Sequence, residues 1–197
     1  MKRPIILLFC ALCLCTLPAA RAVTIDENTT GPSAGTGVDF WGESFITPAG
    51  SSFNNIVFTF LAGGPGTNSN FATGTGFLTS VEYTGTPAGL GSAAGLLGQA
   101  AASGNLYTFA SGITLAPLTT YYFYENASVP ANTMFGGNVY AGHQLYVSSG
   151  SGSNFGGGGS PLNFRVTGSP VPEPSTTALL LSAGLAGLFV ARRAKRS

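Results

Sequence analysis

Carboxylates are the side chains of this sequence with the clearest capacity for chemistry. Glu82 and Glu125 both fall in segments that alternate like β-strands, and two carboxylates that flank a glycosidic bond can hydrolyse it. Acids on neighbouring strands are more commonly unrelated surface residues, and this interpretation is the one we adopt. We therefore predict no catalytic residues and no enzymatic activity.

Bases and nucleophiles for other reactions are scarce. His143 is the single histidine, and its glycine-containing neighbourhood is typical of a loop. A catalytic serine would need a recognisable turn and a partner base, and the sequence offers no such turn. The three cysteines are Cys10, Cys13 and Cys15. They lie in an N-terminal segment that we expect export to remove, so the exported chain has no thiol for catalysis, disulfides or zinc.

Four acids near the start of the predicted domain raise the question of a metal. Carboxylate and backbone carbonyl oxygens are the ligands of Ca²⁺ in proteins. The acids concerned are Asp26, Glu27, Asp39 and Glu43. Their spacing matches no diagnostic calcium motif. We predict no cofactor and no metal site, with a structural Ca²⁺ kept as an alternative.

Aromatic residues offer a binding chemistry, because a ring face can stack on the apolar face of a sugar. Trp41 and Tyr122 are the two candidates for glycan stacking. Packing in the core or at its rim explains these rings equally well. The other tyrosines considered with them are Tyr121, Tyr124, Tyr140 and Tyr146.

The charge distribution excludes one class of partner. The region from residue 23 to residue 170 contains six acidic residues and one basic residue, Arg165. The other seven Lys and Arg residues lie at the two ends of the chain. Nucleic-acid binding depends on Lys and Arg that neutralise phosphates. The sequence therefore predicts no nucleic-acid partner.

The same region shows the period-two alternation of β-strands. Ile56, Phe58 and Phe60 fall on one face of the segment 55–61, and the segment 76–83 alternates in the same way. β-Branched and aromatic residues fill further candidate strands, at 38–47, 106–110, 119–125, 144–148 and 162–167. Short strands without alternating helices predict an all-β fold, an antiparallel β-sandwich or jelly roll.

Other segments complete the predicted organisation. Residues 92–102 have the composition of a short helix, although Gly95 and Gly98 weaken it. Residues 148–160 are rich in Gly and Ser and predict a long mobile loop within the domain. The predicted units are a signal peptide (1–22), a polar lead-in (23–37), a β-sandwich domain (38–167), a Pro-rich stalk (168–175), a transmembrane helix (176–191) and a basic cytoplasmic tail (192–197).

The N-terminal end has the three parts of a secretory signal peptide. Lys2 and Arg3 are a positive start, residues 5–17 are apolar, and Ala20 and Ala22 form an A-x-A cleavage site. Signal peptidase and the secretion translocon are therefore predicted partners, and the exported chain begins at Val23.

The C-terminal end has an apolar run followed by positive charges. Residues 177–191 carry no charge. At ~1.5 Å per residue the run spans roughly 22 Å, against about 30 Å for a hydrocarbon core, so the predicted membrane span is marginal. The basic residues that follow it are Arg192, Arg193, Lys195 and Arg196. Such residues mark the cytoplasmic side of a membrane segment.

A proline-containing motif precedes the apolar run. It reads Val171, Pro172, Glu173, Pro174 and Ser175. The triplet, the apolar run and the basic end together resemble the PEP-CTERM sorting signal of bacterial exported proteins. The resemblance implies that an exosortase recognises these five residues in the membrane and cleaves near the triplet. An ordinary membrane anchor after a proline-containing linker is the alternative.

A second resemblance concerns the domain. Segments within 42–167 are similar, loosely, to jelly-roll domains found beside surface-anchoring signals. The turn with Leu115, Pro117 and Leu118 before the strand at 119–123 is the recurring element, and we expect Leu118 to pack inward. No binding residue follows from this resemblance.

These features predict an exported protein that is sorted to the cell envelope or extracellular polysaccharide matrix, with a structural or adhesive, non-enzymatic role. We expect it to be anchored in the inner membrane by its C-terminal helix before processing, and to reach the cell surface or matrix afterwards. The alternative is a carbohydrate-binding module that binds extracellular polysaccharide. Both release and re-anchoring of the processed form stay open.

Overall fold

The computed structural model describes residues 21–29, 38–61, 72–127, 129–130, 143–158 and 163–171. Strands dominate these ranges, and a 3-10 helix covers Pro87–Ser92. The strands are β1 (Val23–Asn28), β2 (Val38–Ile46), β3 (Phe53–Phe60), β4 (Thr75–Thr79), β5 (Leu96–Ser103), β6 (Leu106–Thr108), β7 (Thr120–Glu125), β8 (Val129–Pro130), β9 (Leu145–Ser148), β10 (Gly156–Gly157) and β11 (Phe164–Pro170).

The strands pair antiparallel in the order β1-β11-β3-β6-β5-β4-β7-β2-β9-β10, and β8 pairs with β2. We call β1, β11, β3 and β6 the first sheet, and β4, β7, β2, β9 and β10 the second. β5 joins them, because its early residues pair with β4 and its last two, Ala102 and Ser103, pair with β6. This arrangement confirms the predicted all-β antiparallel sandwich.

Aromatic side chains fill the space between the two sheets. Phe58 of the first sheet stacks on Phe123 of the second, with 3.9 Å between ring centroids. Phe164 of the first sheet also lies nearly parallel to Phe58, with 5.5 Å between ring centroids. The predicted inward face of β3 is confirmed, since Ile56, Phe58 and Phe60 are all buried in this cluster.

The second sheet is also covered on its outer face. A separate cluster there comprises Phe40, Phe77, Leu90, Tyr124, Tyr146 and Phe155. Leu90 comes from the 3-10 helix, and Phe155 comes from the glycine-rich segment that was predicted to be a mobile loop. The part of that segment that the structure describes is instead held down: Phe155 is only 3% exposed, and its N–H donates to the carbonyl oxygen of Gly85 at 2.9 Å. An aromatic side chain among the glycines explains the difference.

Three further expectations about local structure need correction. Residues 96–103 form β5 and not a helix, because a turn with Gly95 at φ +70° precedes them and both edges of β5 find partners. The predicted lead-in contains β1, which pairs with β11. The predicted stalk begins too early, because β11 continues to Pro170 and the Val171 N–H donates to Ser52 at 2.8 Å.

The predicted targeting segments fall mostly outside the described residues. The signal peptide up to Ala20, the helix at 176–191 and the basic tail at 192–197 are among those outside. Ala22 of the cleavage site is described and exposed, one residue before β1. Within the described ranges, no helix has the length and apolar character needed to cross a membrane.

Candidate functional site

A groove of about 320 Å³ opens on the outer face of the second sheet, beside the part that the 3-10 helix and Phe155 cover. We call it the tyrosine groove. Its lining residues are Ser44, Glu82, Thr120, Tyr122, His143, Gln144 and Tyr146. Strand alternation explains the set, because Ser44, Tyr122 and Tyr146 occupy outward positions on β2, β7 and β9, which are neighbours in the sheet.

Two tyrosines and one acid give the groove its character. Tyr122 and Tyr146 pack edge to face, with 5.9 Å between ring centroids. Tyr146 is buried, whereas Tyr122 is partly exposed and Glu82 is exposed. Burial raises the pKa of the Tyr146 phenol, and the negative charge and hydrogen bond of Glu82 raise it further. The phenol therefore stays protonated at neutral pH and can donate a hydrogen bond to the Glu82 carboxylate, which lines the groove together with Tyr122.

Ser44 and Gln144, the residue before β9, also line the groove. The backbone N–H of Gln144 donates to the Ser44 hydroxyl at 2.6 Å. The exposed Gln144 side chain lies over Gly157, where an added Cβ would collide with its amide. The groove thus brings together a partly exposed aromatic ring, a carboxylate and an amide, which suits a neutral polyhydroxyl ligand with one apolar face.

His143 lines the groove and joins the two sheets. Its Nε2 lies 2.6 Å from Oδ2 of Asp26 on β1. The same Asp26 oxygen accepts the N–H of Ile46, at the end of β2, at 2.8 Å. His143 therefore connects the two sheets at the edge of the sandwich. The Asp26 carboxylate already has two hydrogen-bond donors, His143 and the Ile46 N–H.

A second polar cluster lies between the sheets. The Tyr107 hydroxyl accepts the Thr73 N–H at 2.9 Å, and it lies 2.9 Å from the Thr73 carbonyl oxygen and 2.8 Å from Oε2 of Glu125. Burial raises the pKa of the fully buried Glu125 carboxyl well above its ordinary value. The hydrogen bonds agree with a protonated acid. The single hydrogen of the Tyr107 phenol cannot be donated both to the Thr73 carbonyl oxygen and to Oε2 of Glu125. A proton on Glu125 supplies the second donor.

The structure separates the two predicted glycan-stacking residues. Tyr122 lines the groove, but Trp41 is 3% exposed and belongs to the cluster between the sheets. The prediction that Trp41 stacks on a glycan is therefore wrong. Trp41, Glu43 and Phe45 occupy the inward positions of β2. Tyr121 and Tyr124 are buried, and Tyr140 is not among the described residues.

The two acids considered for glycoside hydrolysis do not converge. Glu82 is exposed beside the groove on the outer side of the second sheet. Glu125 is one residue after the outward-facing Tyr124 on β7 and therefore points between the sheets. A sheet lies between the two carboxyl groups, so they cannot flank one glycosidic bond.

The acids considered for Ca²⁺ are likewise apart. Asp26 pairs with His143, and exposed Glu27 pairs with Arg165 at 2.7 Å. Glu43 is buried between the sheets, and the side chain of Asp39 is not described. In the described part of the chain, no group of three or more His, Cys, Asp or Glu residues could hold a metal ion.

Sequence reasoning did not find the polar walls of the groove. Gln144 stood in a predicted strand without a role, and Glu82 was considered only as the partner of Glu125. The alternation on β7 and β9 indicates that Tyr122 and Tyr146 point the same way once β2 is known to lie between them. No local sequence pattern predicts that strand order.

Fold and groove define an antiparallel β-sandwich with a tyrosine-lined groove on one sheet. A protein-family comparison adds the particular feature: residues 170–196 match the PEP-CTERM protein-sorting motif. The match begins at Pro170, the last residue of β11, and the predicted sorting signal is thereby confirmed. Within it, Val171 is described, and Pro172, Glu173, Pro174 and Ser175 lie outside the described residues. Neither the curated proteins nor the solved structures include a match to this chain.

The motif has a direct functional meaning. It implies an exported protein that an exosortase-type membrane enzyme processes on the way to the cell surface. The described sandwich is the part of the chain that this motif delivers.

Proposed function

We propose that this chain is a non-enzymatic β-sandwich protein with a structural or adhesive role in the cell envelope or the extracellular polysaccharide matrix. The observation that carries the proposal is the position of the sorting motif, which starts on the last residue of β11 and so makes the whole sandwich its cargo. The separation of Glu82 and Glu125 by a sheet supports a role without hydrolysis.

The proposal includes a processing history. The translocon exports the chain and signal peptidase cleaves it after Ala22. The C-terminal segment at 176–191 then holds the chain in the inner membrane until the exosortase cleaves near Glu173. The intact mass of the protein, isolated from cells with and without the sorting enzyme, tests this sequence of events. We expect the processed form to lack residues 192–197. Identical masses that retain those residues would contradict processing.

Cell fractionation of the same samples shows where the protein goes after cleavage. Recovery in the medium indicates release, and recovery in the envelope fraction indicates re-anchoring. A processed protein found only in the cytosol would contradict the proposed destination.

A second candidate function is carbohydrate binding in the tyrosine groove. It is favoured by one observation, the partly exposed Tyr122 ring in a groove that Glu82 and Gln144 also line. A sugar ring stacked on Tyr122 would present its hydroxyl groups to both polar side chains. The ligand class is a neutral extracellular polysaccharide, because the exported region has almost no Lys or Arg with which to attract an acidic one.

Affinity electrophoresis of the exported protein in gels that contain the polysaccharide separates the two candidates. Retention that disappears in Tyr122→Ala, but persists in a Leu97→Ala control on exposed β5, supports carbohydrate binding. Equal mobility of all three proteins in every polysaccharide favours the purely structural role. Release of reducing sugar by the wild type, lost in Glu82→Gln, would contradict the non-enzymatic proposal.

A further inference from the structure

The end of the sandwich from which the chain leaves toward the sorting motif is built from two loops. We call residues 47–52 and 110–119 the anchor-side end. The Val171 N–H donates to the Ser52 carbonyl oxygen at 2.8 Å. Phe53 pairs with Pro170 of β11 and, on its other edge, exchanges backbone hydrogen bonds with Leu115 at 2.9 and 2.7 Å. The anchor-side end and the start of the motif are therefore one connected structure.

An apolar side chain projects from this end. Leu118 is 74% exposed, the largest exposed fraction among the large hydrophobic residues described. Its φ is +51°, a value that is uncommon for residues other than Gly. The turn is held by Thr47, whose hydroxyl accepts the Thr119 N–H at 2.9 Å and donates to Ala116 or Thr119. The expectation that Leu118 packs inward was wrong, because this turn directs it into solvent.

The loops around Leu118 carry no charged side chain, and the N-terminal amine of the exported chain, on Val23 opposite Gly168, is the charge that lies toward the same end of the sandwich. Residues 46–53, 109–120 and 166–171 contain no Asp, Glu, Lys or Arg. The exposed positions there are small or weakly polar, and include Pro48, Ala49, Ala116 and Pro117. These loops can approach a membrane interface without desolvating a charged side chain, which would be costly.

The chain length fixes how far this end can be from the membrane. The apolar run begins at residue 177, six residues after Val171. Six residues span at most about 21 Å when fully extended. While the C-terminal segment is held in the membrane, Val171 therefore stays within that distance of the lipid surface, and Ser52 of the anchor-side end, which is bonded to Val171, stays close to it.

We propose that the anchor-side end rests on the lipid surface before sorting and that Leu118 enters the membrane interface. This inference depends on the proposed membrane-held stage. One leucine gives too little affinity to hold a free protein on a membrane, so the contact forms only in the tethered chain, where the short linker keeps the local concentration high. The contact would fix the orientation in which the sandwich presents the motif to the sorting enzyme.

Single-cysteine labelling tests the contact, because the chain has no cysteine after Cys15. We would place an environment-sensitive fluorophore on Leu118→Cys in the chain from Val23 to Ser197, reconstituted in phosphatidylcholine–phosphatidylglycerol vesicles with nitroxide-labelled lipid. The matched control is Ser103→Cys, which is exposed at the opposite end of the sandwich. The six residues of β3 that separate the two ends correspond to about 20 Å.

We expect several-fold stronger quenching at position 118 than at position 103, and a blue-shifted emission only at 118. Thr114→Cys, exposed in the same loop, replaces Leu118→Cys if that variant does not fold. Equal quenching at both ends, in a chain that floats with the vesicles, would overturn the lipid contact and leave the membrane-held stage intact. A chain that does not float would overturn both. Shielding of position 118 only when the exosortase is added would assign the surface to the enzyme and also overturn the proposal.

Discussion

Tyr107 on β6 and Glu125 on β7 belong to different sheets, and their side chains meet in the closed space between them, with 2.8 Å between the phenol oxygen and Oε2. The Thr73 backbone supplies both a donor and an acceptor to the same phenol. The carboxyl group is fully buried, so its protonation state is linked to folding. This pair makes the stability of the sandwich depend on pH.

The first prediction concerns that dependence. An unfolded Glu ionises near pH 4.3, whereas burial raises the pKa of folded Glu125 well above its ordinary value. Between these two pKa values the folded chain keeps a proton that the unfolded chain has released. The free energy of unfolding therefore falls as pH rises, by about 1.4 kcal/mol per pH unit for this group. Below pH 4.3 the contribution is constant and fully present.

Glu125→Gln removes this contribution while it keeps a donor for Tyr107. Urea unfolding at pH 5, 6, 7 and 8 should give a variant whose stability relative to wild type improves as pH rises. Glu82→Gln, on the exposed side of the sheet, should keep the wild-type slope. Parallel profiles for wild type and Glu125→Gln would refute the buried acid as the source.

The second prediction concerns the phenol. Tyr107→Phe removes one acceptor of the Thr73 N–H and the hydroxyl partner of the buried Glu125 carboxyl. We expect a loss of about 1–3 kcal/mol in the free energy of unfolding. Tyr122→Phe, in the open groove, is the control and should change it by less than about 0.5 kcal/mol. Equal losses in the two variants would show that the interior network contributes nothing.

Strands could be predicted from the sequence where one face of the alternation was clearly apolar. Ile56, Phe58 and Phe60 are the best example, because an inward apolar residue at every second position of β3 leaves one consistent orientation. β1 and β5 were missed for the opposite reason. β1 has one buried apolar residue, Ile25, and β5 is rich in Ala and Gly, so its strand conformation depends on its two neighbours.

The site was harder to predict because its parts are distant in sequence. Asp26 and His143 are 117 residues apart, and no local pattern indicates that they meet. Trp41 remained a candidate for glycan stacking because Phe40 and Trp41 are both large aromatic residues, so the alternation on β2 does not show which one faces inward. Both are buried, in different clusters, because the second sheet is covered on both faces.

The third prediction uses a glycine in the middle of the second sheet. Gly42 lies opposite Tyr124, and a Cβ there would lie 2.7 Å from Cε1 of that ring and 2.9 Å from the Phe123 carbonyl oxygen. Gly42→Ala must displace a ring that is packed between Tyr146 and Phe155. We expect a loss of about 1–3 kcal/mol. Gly112→Ala, with nothing within 4 Å, is the control. A neutral Gly42→Ala would mean that Tyr124 has room to move.

The fourth prediction tests whether the glycine-rich segment is held down by one side chain. The Phe155 ring contacts the rings of Tyr124 and Tyr83, with centroid distances of 5.0 and 6.2 Å respectively. The Phe155 N–H also donates a hydrogen bond to the carbonyl oxygen of Gly85. Phe155→Ala should cost about 3–5 kcal/mol if the segment unfolds only with the domain. If the segment opens locally, the loss in global stability is smaller and cleavage near residues 149–157 becomes faster instead.

Limited proteolysis with mass spectrometry, alongside urea unfolding, distinguishes these cases. Ser151→Ala, an exposed change in the same segment, should leave both readouts at the wild-type value. In either case Phe155→Ala must differ from this control, because the ring is the main apolar contact of the segment. A Phe155→Ala protein with wild-type stability and wild-type resistance to cleavage would mean that the backbone pairing of β10 with β9 holds the segment alone. Two residues pair there, which is too few to hold a glycine-rich chain without the ring.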